Sequence, residues 1–324
     1  MIGNGYMARK HCSALANHPS VKFHSLIVSD QNKNGESFKN EFGFKVLHNS
    51  SFGGLSQALR DNDIDIVFIT SPNSLHCEQI LLSLENNKHI FCEKPLAYTK
   101  NEFQNIKEAF KKNNNVLQSG MNCRFREQFS IPKMMADNGE LGKLKYVRAT
   151  YIFDVTNSFG DKPWWKEYPI GIYPFLHTGA IHSLDLLRWI GGEIKHVSAF
   201  GNGFELEKQW GSDNFTINVE FQSGAIGGLT CSASANRSSD FSLEVWGTEA
   251  SIVGGDLYRK TSHTKEQIEI RQEKLDLVLQ YENMIQAIEN KTQPMNSFDE
   301  ALKNFELITA IEDSVKAKKT ILLK

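Results

Sequence analysis

From residue 7 to about residue 121, helical segments of roughly 10–15 residues alternate with short apolar runs. The run DIDIVFITSPNSLH at 63–76 is the most restrictive of these, because its apolar part is continuous. A strand covered on one face alternates apolar and polar residues. A continuous run signals burial on both faces, as in a parallel sheet lined by helices. Its neighbours repeat that reading: VKFHSLIVSD (21–30), HIFCEKP (89–95) and VLQSGMN (116–122) have strand character. Residues 7–17, 34–42, 74–86 and 99–112 have helix character, the last opened by Thr99. Successive βαβ units of this kind build a doubly wound, Rossmann-type α/β domain.

The pattern changes after residue 122. A helix at 129–138 and a long strand at 144–155 precede a helix around 178–190. Strands then follow closely at 196–203, 214–221, 225–235, 241–246 and 250–253, and helices at 275–290 and 297–316 end the chain. This predicts an α+β domain with a large, mostly antiparallel open sheet. A chain of 324 residues accommodates two domains. We expect an NAD(P)-binding domain over 1–121 and a substrate-binding and oligomerisation domain over 122–324. No linker composition marks the boundary, so tight contact between them is expected.

A net charge of −2 gives no general attraction to nucleic acid or to an anionic membrane. No apolar run approaches the ~18–20 residues that span a bilayer, and the first residues lack the basic-then-apolar order of a signal peptide. The five cysteines never form a C-x-x-C pair and read as reduced thiols of a cytoplasmic protein. His11, His18, His24 and His48 are dispersed without ligand spacing, so no metal is expected.

Near the start, Gly3-Asn4-Gly5-Tyr6-Met7-Ala8 fits the G-x-G-x-x-[GA] dinucleotide turn. The first glycine makes the turn, the second admits a pyrophosphate, and the small third residue lets helix pack on strand. Gly3, Gly5, Tyr6 and Met7 are therefore candidate cofactor contacts. Only Met1 and Ile2 precede them, where a strand of ~5 residues is expected. Either the natural start lies upstream, or the two residues form a stub at the sheet centre with weakened cofactor binding. Asp30 ends the next strand, where a carboxylate accepts hydrogen bonds from ribose hydroxyls and repels a 2′-phosphate. That favours NAD over NADP, a preference that nearby Lys33 softens.

Thr70-Ser71-Pro72-Asn73 with His76, followed by Glu93-Lys94-Pro95, resemble the paired signatures of the Gfo/Idh/MocA oxidoreductase family. The likeness continues through MNCRFREQF (121–129), GELGKLKYV (139–147), Trp164-Trp165-Lys166, GAIHSLDLLRWIGG (179–192) and EVWGTEASI (244–252). Strand ends in an open parallel sheet face the ligand crevice, which brings Ser71, Asn73, Glu93 and Lys94 to one edge, and the resemblance implies that these residues, with Pro72 and His76, contact the cofactor. A lysine there can hydrogen-bond a reacting hydroxyl and stabilise its developing charge. The Lys94–Pro95 bond has a raised cis population. In the family an acid and, four residues later, a histidine share a helix face beside the nicotinamide. His182 matches the histidine, but Thr178 stands where the acid belongs, with His177 before it. A histidine suits proton acceptance as hydride leaves. His177 and Thr178 could jointly replace the acid, Lys94 and His182 could suffice, or the site could be catalytically weak.

Asp185 is expected to anchor its helix or to bond a backbone amide rather than to act in catalysis. Asn122 is placed on the nicotinamide side, and Arg124 either binds substrate or forms a structural salt bridge. Trp165 either walls the ligands or anchors a loop. The resemblance implies an NAD(H)-dependent oxidoreductase acting on a secondary alcohol or ketone of a sugar, inositol or nucleotide-sugar, assembled as a homodimer or homotetramer. Two alternatives accompany it: an NAD-dependent glycosidase of the same fold, and a non-catalytic NAD-binding regulator.

Overall fold

The computed structural model describes residues 1–29, 35–48, 53–159, 168–169, 171–261, 265–272 and 274–323. Asp30, Lys33, Trp164, Trp165 and Lys166 lie outside the described residues. The chain divides into two compact units. One comprises Met1–Asn122 with Lys274–Leu302, the other Cys123–Glu273 with Lys303–Lys324. A cut at residue 121 would have assigned Lys274–Leu302 to the second domain; these residues instead return to the first.

The first unit holds helix α1 (Tyr6–Leu15), strand β1 (Ser25–Val28), α2 (Gly35–Phe42), β2 (Lys45–His48), α3 (Gly53–Leu59), β3 (Ile66–Ile69), α4 (His76–Glu85), β4 (His89–Cys92), α5 (Lys100–Phe110) and β5 (Leu117–Ser119). β1 pairs with β2, and β3, β4 and β5 pair in order, all in parallel. The centre is closed by Ile2, which bridges in parallel to both Ile27 and Ile69. Ile27 N–H donates to Met1 O at 2.9 Å and Gly3 N–H to Ile27 O at 3.0 Å. On the other side Ile2 N–H donates to Phe68 O at 2.7 Å and Thr70 N–H to Ile2 O at 2.9 Å. Met1 to Gly3 thus form the stub anticipated from the sequence. The strand order β2–β1–stub–β3–β4–β5 changes direction at the stub, the switch point where open α/β sheets place their ligand crevice.

β1 and β5 are buried at every position and β4 at all but its first, whereas β3, the continuous apolar run, alternates half-buried and buried positions. α1 turns Ala8, His11, Cys12 and Leu15 inward, a helical stripe with one polar member. α5 is opened by a capping box in which Thr99 and Glu102 satisfy one another's backbone N–H groups. The helix Asp276–Asn290 packs Leu277, Tyr281, Met284 and Ala287 against Leu15, Phe91 and Val116.

The second unit holds α6 (Glu127–Asp137), β6 (Leu144–Ile152), α7 (Val155–Phe159), α8 (Pro174–Thr178), α9 (Ile181–Gly191), β7 (Ile194–Asn202), α10 (Glu207–Trp210), β8 (Asn214–Phe221), β9 (Ile226–Ser232), β10 (Asp240–Gly247), β11 (Ala250–Val253), β12 (Asp256–Arg259) and β13 (Lys265–Gln267). In chain order the first-unit helix is α11 (Asp276–Asn290); α12 (Phe298–Ala317) and β14 (Ile321–Leu322) follow. The nine-stranded sheet runs β13-β12-β11-β10-β6-β9-β8-β7-β14. β6 and β9 pair in parallel and every other neighbour is antiparallel. α9 packs across β6 and β9. Among the described residues, no helix is long and apolar enough to cross a membrane.

Candidate active site

The glycine turn sits where the stub gives way to α1. Gly3 has φ of +93°, and a Cβ on it would lie 2.8 Å from the Thr70 carbonyl oxygen, so this position requires glycine twice over. Gly5 caps α1 in extended backbone without a side-chain cap, and a Cβ there would meet nothing within 4 Å. The first N–H groups of a helix lack intrahelical partners and carry partial positive charge. Open space over them fits a diphosphate. Ala8 is fully buried beneath the turn, Tyr6 is exposed, and Met7 is half-buried.

The loop after β3 is held from inside. Ser71 Oγ donates to Gln79 Oε1 at 2.6 Å and Asn73 Nδ2 to the Tyr98 hydroxyl at 2.9 Å, while Pro72 is exposed. His76 is completely buried, with Nδ1 2.7 Å from the Pro95 carbonyl and Nε2 3.0 Å from that of Ser71. It clamps the loops after β3 and β4 together, whereas the sequence reading grouped it with the cofactor contacts. Burial pushes its pKa below the ordinary histidine value, against the pull of the two carbonyls.

Glu93 and Lys94 follow β4, and the Lys94–Pro95 peptide is cis. The Glu93 carboxylate is buried and accepts from His11 Nε2 at 2.9 Å and from the Lys94 N–H at 3.2 Å. Burial opposes its ionisation, but the His11 hydrogen bond and charge, with Lys94, outweigh that, and the carboxyl titrates below its usual range. His11 Nδ1 is hydrogen-bonded to the Tyr281 hydroxyl. Lys94 itself is half-buried. Asn122 donates through Nδ2 to Asp276 Oδ2 at 2.6 Å, which fixes its orientation.

In the second unit the expected single helix around 178–190 is two. α8 ends at Thr178 and α9 begins at Ile181; between them Gly179 and Ala180 keep αR backbone, and their N–H groups both donate to Phe175 O, at 3.0 and 2.9 Å. Thr178 is the last residue of α8 and His182 the second of α9. Thr178 Oγ1 donates to Pro174 O at 2.8 Å. His177 is buried and donates through Nε2 to Glu312 Oε1 at 3.1 Å; the same oxygen accepts the Tyr173 N–H at 2.7 Å. His182 is half-buried in the first turn of α9.

Arg124 is buried and forks onto Asp185: Nε donates to Oδ2 at 2.8 Å and Nη2 to Oδ1 at 2.6 Å. Asn304 adds a third hydrogen bond to Oδ1 at 2.7 Å. Of the two readings open for Arg124, this geometry supports the structural salt bridge. Asp185 anchors its helix, as expected.

His11, Tyr281, Glu312 and Asn304 escaped the sequence reading. His11 carried a signal, because it occupies an inward position of an apolar helical stripe and so needs an internal partner. The other three lie far along the chain from the groups they serve. Among the described residues, His24, Asp61 and Asp63 bring potential ligand atoms within 4.8 Å of one another. They lie at the N-terminal ends of β1 and β3, away from the glycine turn, and their clearest contact is a half-exposed pair, His24 Nε2 to Asp61 Oδ2 at 3.5 Å.

Residues 1–121 match the model of the oxidoreductase family with an NAD-binding Rossmann fold, and 132–253 match the Gfo/Idh/MocA C-terminal domain. The chain is 33% identical over 269 residues to scyllo-inositol 2-dehydrogenase (NAD(+)) of Bacillus subtilis, covering 79% of this chain and 73% of that protein. It is 26% identical over 284 residues to levoglucosan dehydrogenase of Pseudarthrobacter phenanthrenivorans, covering 78% and 72%. In fold it is similar to myo-inositol 2-dehydrogenase of Lactobacillus plantarum, with TM-score 0.82, 22% identity and coverage of 100% and 98%. The glycine turn at a sheet switch point, the Glu93-Lys94-Pro95 strand end and both domain matches lead to one conclusion: this chain belongs to the Gfo/Idh/MocA family of oxidoreductases.

Proposed function

We propose that this chain is an NAD-dependent dehydrogenase that exchanges hydride with a secondary alcohol carbon of an inositol or a sugar. The observation that carries the reading is Lys94, set after β4 on a buried carboxylate, on the strand edge that also carries the glycine turn. The identity to an NAD-dependent inositol dehydrogenase supports it. The first turn of α1, opened by Gly5, holds the diphosphate. Asp30 takes the adenosine ribose hydroxyls and selects NAD over NADP. Ser71, Asn73 and Asn122 border the nicotinamide side. Bound NAD supplies the hydride acceptor. Lys94 donates a hydrogen bond to the reacting oxygen as its C–H bond breaks, and His182 takes the hydroxyl proton. His177 and Thr178 hold the α8–α9 break that presents His182, and Trp165 walls the substrate.

The second unit would carry assembly. Tyr146 and Trp246 are cross-strand partners with ring centroids 4.7 Å apart, and Ile226, paired with Tyr146, is 55% exposed. This apolar row on one sheet face suits a homodimer or homotetramer, read by sedimentation. All five cysteines are free, which suits the cytoplasm.

The test is NADH absorbance across a panel of scyllo-inositol, myo-inositol, levoglucosan and common hexoses, with Lys94→Met in parallel. We expect wild-type turnover on at least one polyol, and none from Lys94→Met although it still binds NAD by titration calorimetry. Turnover by Lys94→Met, or a panel without NADH formation, sinks the reading.

A further inference from the structure

The Glu93 carboxylate accepts from the Lys94 N–H and from His11 of α1, whose ring is held in turn by Tyr281 of α11. His11 projects from the second turn of α1 and is fully buried. Its ring meets Phe91 edge-on at 5.1 Å and lies 6.4 Å from Phe68; both rings also pack on Tyr281, each 5.5 Å away. Inside this aromatic cage the imidazole has two polar partners, Glu93 and Tyr281. An ionised carboxylate only accepts, so Nε2 carries the proton that reaches Glu93. Nδ1 is held by the Tyr281 hydroxyl, so both ring nitrogens are engaged. The chain of contacts runs from the Tyr281 hydroxyl to His11 Nδ1, from His11 Nε2–H to Glu93 Oε1, and from the Lys94 N–H to Glu93 Oε2. Gly120 completes the enclosure, since a Cβ on it would lie 3.0 Å from the carboxylate.

We propose that His11 and Tyr281 are positioning residues that set where Lys94 stands, acting through the Glu93 carboxylate. This rests on the dehydrogenase reading above. α1 holds the diphosphate site at its first turn and Glu93 at its second, so cofactor and lysine are placed by one rigid element. Tyr281 fixes the imidazole ring from α11. A buried charge with hydrogen bonds on both oxygens has few alternative positions, and the lysine that follows it inherits that restriction. A salt bridge kept only for stability would need neither the Tyr281 hydroxyl nor the contact to the Lys94 N–H.

Three variants separate positioning from packing. His11→Leu fills the cage without donors, His11→Gln restores an N–H toward Glu93, and Tyr281→Phe removes only the hydroxyl. Steady-state kinetics on the best substrate of the panel should show kcat reduced by about 10–100-fold in His11→Leu, with NAD affinity by calorimetry unchanged. His11→Gln should recover most of the loss, and Tyr281→Phe should fall between. An unaltered kcat in His11→Leu overturns the proposal. So does a His11→Gln no better than the leucine variant, or an NAD affinity that falls in step with kcat. A second measurement needs no activity: the acylation rate of Lys94 relative to exposed Lys100, read by mass spectrometry. Release of Lys94 should raise its labelling several-fold in His11→Leu and leave Lys100 unchanged; equal labelling of Lys94 in both proteins overturns the proposal. A wild type that oxidises nothing in the panel defeats the dehydrogenase reading alone, and labelling then decides the relay.

Discussion

The Arg124 guanidinium grips the Asp185 carboxylate through two parallel hydrogen bonds, of 2.8 and 2.6 Å, with both side chains almost fully buried. Asn304 completes the coordination of Asp185 and in turn accepts from Arg188 Nε at 3.2 Å. The pair joins the turn before α6 to α9 and α12. Removing one partner strands a buried charge, so Arg124→Met is expected to cost about 3–5 kcal/mol in urea unfolding. Arg124→Lys keeps the charge without the fork and should recover only part of it. The double variant Arg124→Met with Asp185→Leu should lose less than the sum of the single losses. Additive losses would show that the two groups are not coupled.

Gly3 and Gly5 are expected to respond in opposite ways to one added methyl group. At Gly3 an alanine meets the Thr70 carbonyl and an unfavourable φ, so it should displace the stub from β3 and lower the melting temperature. At Gly5 it enters open space, and stability should hold. NAD affinity, however, should fall about tenfold or more, because the methyl group occupies the path of the diphosphate. If Gly5→Ala binds NAD as tightly as wild type, the diphosphate does not approach there.

The Rossmann half was legible because its signals are local. A continuous apolar run, a glycine turn and the Thr99 cap each express their consequence within a few residues, and β3, α1 and α5 fall where those signals place them. The short strand β2 left no such trace, since its four residues are half-buried or exposed. Site residues divide in the same way. Glu93 and Lys94 could be found beside Pro95, but the partners that govern Glu93 lie 82 positions before it and on α11. The end of α8 could not be placed from Gly179 alone, because a glycine ends some helices and is tolerated inside others. Here a Cβ at 179 would lie 2.7 Å from the Phe175 ring, so tertiary crowding accompanies the break.

Acid should destabilise the fold in two windows. His76 and His89 both have pKa values lowered chiefly by burial, and His89 Nδ1 accepts the Val116 N–H at 2.9 Å. Between their folded values and the ordinary value of about 6.5, the unfolded chain binds more protons. Stability should therefore fall as pH drops below about 6.5. His89→Asn, which retains an acceptor for Val116, should flatten that slope in urea midpoints. Glu93 acts lower. Its folded pKa is depressed, so its contribution is present above about pH 4.3 and is lost as pH falls through the folded value. A slope through pH 6 that His89→Asn leaves untouched would assign the first window to other groups.

Glu312 tests what His177 does. Its Oε1 accepts both the Tyr173 N–H and His177 Nε2, and all three positions belong to the second unit. Glu312→Leu strands two donors and should cost about 1–3 kcal/mol for each. Glu312→Gln retains an acceptor oxygen and should cost less. If His177 supports the start of α8 without moving a proton, both variants lower the melting temperature. Assayed well below it, they leave kcat as in wild type. If His177 exchanges a proton with the substrate, Glu312→Gln lowers kcat under conditions where the fold is intact. The hydrogen bond alone fits both roles, so kcat measured well below the melting temperature decides between them. Burial favours the first outcome, because His177 is 1% exposed whereas His182 is half-buried.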